Sequence, residues 1–230
     1  MRARSRRKLE MGQRALEFSR AHPDSNPGYE TALVRLDEML NRAAVLTDQQ
    51  RNGFLEVRIA SRRKRELRKA ITKGHLTHLM GVAQGAEKAV PGLTQRFRIG
   101  LLGTTYLGFR AAARGMLAEV TTRKETLMQF GLSVTVLDAL ASALDQFDAA
   151  VKQGVDGRRN HTGATQDLAA VADEVVQIVR VMDGLNRVRF ADDAERLPAW
   201  EKASAIFADP AKLPEEGETP PEGGEVRPAA

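Results

Sequence analysis

The sequence predicts an all-α fold: an elongated antiparallel bundle of about four long helices with disordered termini. Three observations lead there. Of nine prolines in 230 residues, only Pro91 lies between Pro27 and Pro198. Proline lacks a backbone donor and clashes with the preceding turn, so a stretch this poor in it is open to long helices. Aromatic residues make up only 5% of the chain, which leaves Ala, Leu and Val to form the core, a mixture suited to helix–helix packing. Apolar residues also recur at spacings of three and four, the seam of an amphipathic helix.

Residues 1–27 read as a basic, loosely attached arm with a short helical pattern around Leu9 to Phe18. Pro27-Gly28 opens the bundle, which is assigned to residues 28–190, and Leu33, Leu36, Leu40 and Ala43 mark its first seam. Thr47 and Gln50 have the spacing of a capping box, which predicts a tight turn and a second, antiparallel helix. That helix runs from about Asp48 to Val90, with Gly74, Gly81 and Gly85 weakening its later half and a kink placed near Gly74. A third helix spans about 104 to 130, with Tyr106, Phe109, Ala113, Met116, Val120 and Leu127 facing inward. Gly131 suits its end and Ser133 the start of the next helix.

The segment 135–189 carries two stripes. Leu140, Leu144, Phe147 and Val151 form one, and Leu168, Ala172, Val175, Val179 and Met182 the other. Gly154, Gly157 and Gly163 lie between and suggest a loop. The seam nevertheless continues in register through Val155, Arg158, Thr162, Thr165 and Ala169, which favours one long helix over two. Residues 191–209 then form a clamp helix anchored by Trp200, the chain's one tryptophan, and 210–230 form an acidic, Pro- and Gly-rich disordered tail.

Composition limits the chemistry. The absence of cysteine excludes disulfides, thiolate catalysis and Cys-ligated metals. There is no run of about 18 apolar residues, and no apolar region follows the N-terminal cations, so a cytoplasmic location is expected. Asn160-His161-Thr162 matches a glycosylation acceptor and, with no secretion signal, is read as coincidence. The formal charge is +5. Ten acidic and four basic residues follow from Ala191 onward, a balance of −6, which leaves +11 on the preceding residues.

The sharpest candidate site is a basic stripe. At 100° per residue, Arg51, Arg58, Arg62, Arg65, Lys69 and Lys73 fall within an arc of about 80°. Ala60, Leu67 and Ile71 project from the opposite side, and Arg63, Lys64 and Arg68 flank the stripe. Two readings stay open: an anion-binding face for phosphate or anionic lipid, or a solvated face neutralised by acidic neighbours or by the tail. No interleaved aromatic supports single-strand stacking in this reading.

Other candidates have plain structural readings. His75 and His78 are three apart but lack further ligands, and His78 is placed beside Leu67 and Ile71 as a boundary histidine. His161 reads as an exposed polar residue. Gly100 to Thr105 lacks the lysine of a phosphate loop and reads as a loop with an N-cap. Asp138, Asp145 and Asp148 read as a solvated face. Asn186, Arg187 and Arg189 are either a binding patch or a helix terminus in which Asp192 or Asp193 pairs with the arginines.

The stretch Gly163-Ala164-Thr165, Asp183-Gly184-Leu185-Asn186-Arg187 and Ala199-Trp200 resembles a group of predicted all-helical bacterial proteins without an assigned activity. The resemblance covers about residues 160–207. It implies a helical fold and a bacterial source and carries over no catalytic residues.

No constellation of nucleophile, base and oxyanion donor is visible, so the chain is not expected to be an enzyme, and neither a cofactor nor a metal is expected. The leading expectation is a non-catalytic helical scaffold or interaction protein with a protein partner or self-association, which the heptad spacing favours. The alternative is a nucleic-acid-associated protein binding phosphate through residues 51–73. A peripheral membrane role through the same cations ranks third, and no small-molecule substrate is evident.

Overall fold

The computed structural model describes residues 2–97 and 105–207. Every regular element among them is helical. They are α1 (Ala3–Ala21), α2 (Pro27–Ala70), a π-helical segment (Ile71–Leu76), α3 (Thr77–Ala86), α4 (Leu93–Arg96), α5 (Tyr106–Thr122), α6 (Lys124–Met128), α7 (Val134–Arg189) and α8 (Arg196–Ser204). The chain divides into two compact units. Of the described residues, one unit is Arg42–Ala170, and the other combines Arg2–Asn41 with residues 171–207. The expected tail (210–230), Arg98 and Gly100 to Thr104 lie outside the described residues.

In the unit formed by the chain ends, α1 is an integral helix rather than a loose arm. Met11, Ala15 and Leu16 are buried with Tyr29, Leu36, Val175, Val179, Met182 and Trp200. Three of the arm's cations are engaged within this unit. Lys8 pairs with Asp173, Arg20 with Asp37 at 3.0 Å, and Arg14 donates to the Ala205 carbonyl at 2.6 Å. The start of α2 is as expected, and Asn26 caps it by accepting from the N–H groups of Gly28 (2.8 Å) and Tyr29 (3.3 Å). Trp200 is fully buried, and its indole N–H donates to Asp183 at 2.9 Å.

The expected turn at Thr47 is absent, because α2 is continuous from Pro27 to Ala70. The Thr47 hydroxyl bonds back to the Ala43 carbonyl at 2.8 Å, and Gln50 is buried with its amide donating to Thr165 of α7 at 2.6 Å. Both side chains of the supposed capping box are thus used inside or across helices. The two helices expected over 28–90 begin as one.

Unit Arg42–Ala170 has its core where Leu67, Ile71, Leu79, Phe97, Phe109, Met116, Leu140 and Phe147 meet. The weakness expected near Gly74 takes the form of the π segment. Its buried residues, Ile71 and Leu76, are five apart, so the turn holds one residue more than an α turn and the helix phase shifts beyond it. His78 is therefore exposed rather than beside Leu67 and Ile71.

The third expected helix is divided into α5 and α6. Thr105 caps α5 through the Gly108 N–H at 3.1 Å, and Gly131 has a positive φ of 93°, the geometry of a helix-ending glycine. α7 is one helix across 154–163, as the register favours. Its buried seam there lies one residue from the expected one. Ala150, Gly157, Ala164 and Leu168 are buried, whereas Val155, Arg158 and Thr162 are exposed. Within this unit α7 runs antiparallel to α2, with Gln50 against Thr165 and Arg63 donating to Gln146.

Candidate nucleic-acid interface

The six stripe residues lie together along one face of α2 and its π continuation. Arg51, Arg58, Arg62, Arg65, Lys69 and Lys73 are all exposed, while Ala60, Leu67 and Ile71 on the opposite side are buried. The 3.6-residue period produces this separation, and burial of the opposite side fixes which face meets water. Among the described residues only Arg62 of the six has a carboxylate partner, Glu66 one turn away at 2.9 Å. That pair is exposed, with Arg62 at 80%, so it offsets little of the charge.

The flanking cations have other tasks. Arg63 donates to Gln146 at 2.7 Å, Lys64 sits 4.7 Å from the Tyr106 ring centroid, and Arg68 5.1 Å from that of Phe109. They tie α2 to α5 and α7, leaving the stripe itself as the cationic surface. Two acidic side chains of α7, Asp145 and Asp148, are engaged by α5 instead. Arg114 bridges Asp145 and Asp148, both at 2.7 Å, and Arg110 pairs with Asp148 at 2.6 Å. Hydrogen bonds to Asp145 first and Asp148 second hold the Arg114 guanidinium above its ordinary pKa. Asp138 and Asp145 are exposed, as expected of a solvated face, while Asp148 is half-buried, and Asp145 and Asp148 are also ion-paired with α5.

α2 and α7 touch at a glycine crossing. A Cβ added to Gly53 would lie 2.7 Å from both the Gly157 carbonyl oxygen and the His161 nitrogen. His161 is consequently half-buried, its Nδ1 3.0 Å from the Gln50 carbonyl oxygen, which replaces the exposed side chain expected from sequence. Shallow grooves open on either side of this crossing. One, about 580 Å³, has Val57, Val151 and Val155 on its apolar floor and Lys64, Arg158 and Arg159 among its polar lining. The other, about 510 Å³, includes Gln49, Asn52, Asn160 and Asp167.

An exposed aromatic residue borders the stripe. Phe54 is 50% exposed, with the Arg58 guanidinium 5.8 Å from its centroid and the His161 ring 6.1 Å away. The sequence signal was Phe54 falling between Arg51 and Arg58. The expectation that no aromatic interleaves with these cations is therefore corrected by the exposed Phe54.

The remaining candidates resolve structurally. His75 and His78 are half-buried and exposed respectively, and no group of three or more potential metal-binding side chains occurs among the described residues. Asn186 is buried and donates to the Tyr29 hydroxyl at 3.3 Å. Arg187 pairs with Asp183 at 2.8 Å and Glu201 at 2.9 Å, and Arg189 donates to the carbonyls of His22 and Pro23. Those partners, rather than Asp192 or Asp193, satisfy the two arginines. No helix among the described residues is long and apolar enough to cross a membrane. No family model, curated protein or solved structure matches the chain.

Proposed function

We propose that the protein is a non-catalytic helical module that binds nucleic acid through its phosphate backbone, using Arg51, Arg58, Arg62, Arg65, Lys69 and Lys73. The observation that carries this reading is a row of six exposed cations with one exposed carboxylate partner among the described residues. Cations presented in a line on a rigid helix match the periodic charge of a phosphate chain, and releasing its condensed counterions supplies the free energy. The helix restricts the positions of the cation stems before binding, which lowers the ordering cost.

The test is retention of a labelled oligonucleotide by the full chain at low salt, titrated with increasing salt. The reading predicts a log–log fall in affinity and a shallower slope when Arg58, Arg62 and Arg65 are replaced by alanine. A chain that retains no nucleic acid, yet forms a stable oligomer or holds a protein partner, would return the assignment to a helical scaffold.

A further inference from the structure

Resting on that reading, we infer that the Arg51–Arg62 half of the row takes unpaired nucleobases, so that the ligand is a single strand. Phe54, Leu55 and Ile59 are 50%, 42% and 59% exposed, and they interleave with Arg51, Arg58 and Arg62. At 100° per residue Phe54 lies about 60° to one side of Arg51, and Leu55 and Ile59 about 40° and 80° to the other. One surface thus presents cations and apolar groups together. A duplex offers phosphates outward and hides the faces of its bases, whereas a single strand exposes both.

The local geometry suits bases. The Phe54 ring lies beside the Arg58 guanidinium and the His161 imidazole, at 5.8 and 6.1 Å between centres. All three are flat groups of the kind on which bases stack. Ser61, two turns beyond Phe54 on the same side of α2, lines the groove with the Val57, Val151 and Val155 floor and the Lys64 and Arg158 cations. A strand can therefore keep its phosphates on cations while its bases meet apolar surface. An anionic bilayer fits less well. Interfacial helices separate apolar and cationic faces, whereas here the two are mixed on one surface.

The experiment is an anisotropy titration of the full chain at low salt with three labelled probes of one length, about 16 nucleotides. They are an oligothymidylate, an abasic strand with the same charge, and a duplex. The thymidylate is expected to bind about 5- to 100-fold tighter than the abasic strand and at least as tightly as the duplex. Phe54→Ala is expected to weaken thymidylate binding several-fold more than abasic binding and so remove most of that advantage, while Phe54→Tyr preserves it. Equal affinity for the thymidylate and abasic strands, equal weakening of both by Phe54→Ala, or tighter duplex binding would overturn the inference and leave phosphate binding standing. Absence of salt-dependent binding to all three probes would overturn both.

Discussion

Gly53 of α2 and Gly157 of α7 approach so closely that neither has room for a side chain. A Cβ on Gly53 would stand 2.7 Å from the Gly157 carbonyl oxygen, and one on Gly157 would stand 3.0 Å from the Gly53 carbonyl oxygen. The obstacles are backbone atoms and, for Gly157, also the Glu56 Cβ at 2.9 Å, none of which can rotate aside as the end of a flexible side chain can. Gly53→Ala should therefore force the helices apart and destabilise the chain by about 1–3 kcal/mol, the usual cost of overpacking. Gly163→Ala makes the opposite test. Gly163 lies within α7 with nothing within 4 Å of an added Cβ, so the gain in helix propensity should stabilise by about 1 kcal/mol. Urea unfolding of the two variants should move the midpoint in opposite directions.

Trp200 anchors α8 through both area and polarity. Its ring is 5.4 Å from that of Phe18, and its indole N–H reaches Asp183, which also accepts from Arg187. Trp200→Ala should cost about 3–5 kcal/mol. Trp200→Phe keeps most of the apolar area and loses the hydrogen bond, and should cost about 1 kcal/mol. Thermal melts followed by circular dichroism measure both, and equal losses in the two variants would mean the indole N–H dominates.

Acid should destabilise the fold through four carboxylates held below their ordinary pKa. Glu87 accepts from the Thr94 hydroxyl first, then from the Thr94 and Gly92 N–H groups. Glu119 is lowered chiefly by Arg123, Asp173 by Lys8, and Asp193 by the Arg196 N–H. A carboxylate whose folded pKa is depressed stabilises the fold above its unfolded value, and that contribution disappears as pH falls through the folded value. The melting temperature should hold from neutral pH to about pH 5 and decline below about pH 4. Glu87→Gln should lower the neutral-pH melting temperature and lessen the subsequent acid decline, and an unchanged acid decline would remove Glu87 from the account.

Much of the fold was legible where apolar side chains do the packing. The stripes Leu140–Leu144–Phe147 and Leu168–Val175–Met182 are buried as their spacing requires, and proline at Pro27 marks a real helix start. What escaped was set by tertiary contact. A seam made of Gly53, Gly157 and Ala164 carries almost no hydrophobic signal, so counting apolar residues placed α7 one position off. Thr47 and Gln50 have capping spacing, yet their partners, Ala43 and Thr165, keep α2 continuous. The extra residue in Ile71–Leu76 invalidated angular counting at His78. The cationic row was legible because charged residues at helical spacing opposite an apolar seam must face water. Phe54 was legible in part, since it falls between Arg51 and Arg58 on α2, whereas the Arg158 groove was not, since it required knowing how α7 is turned against α2.

The central claim is that the row on α2 engages phosphates, and salt dependence tests it most directly. Affinity for a labelled single strand should fall linearly on a log–log plot as salt rises, with each phosphate neutralised contributing about 0.7 to the slope. Replacing Arg58, Arg62 and Arg65 together by alanine should lower the slope by about 2 and weaken binding at every salt concentration. All three are exposed, so circular dichroism should show helix content unchanged. A triple variant that binds with the same slope and affinity as the parent chain would contradict the account.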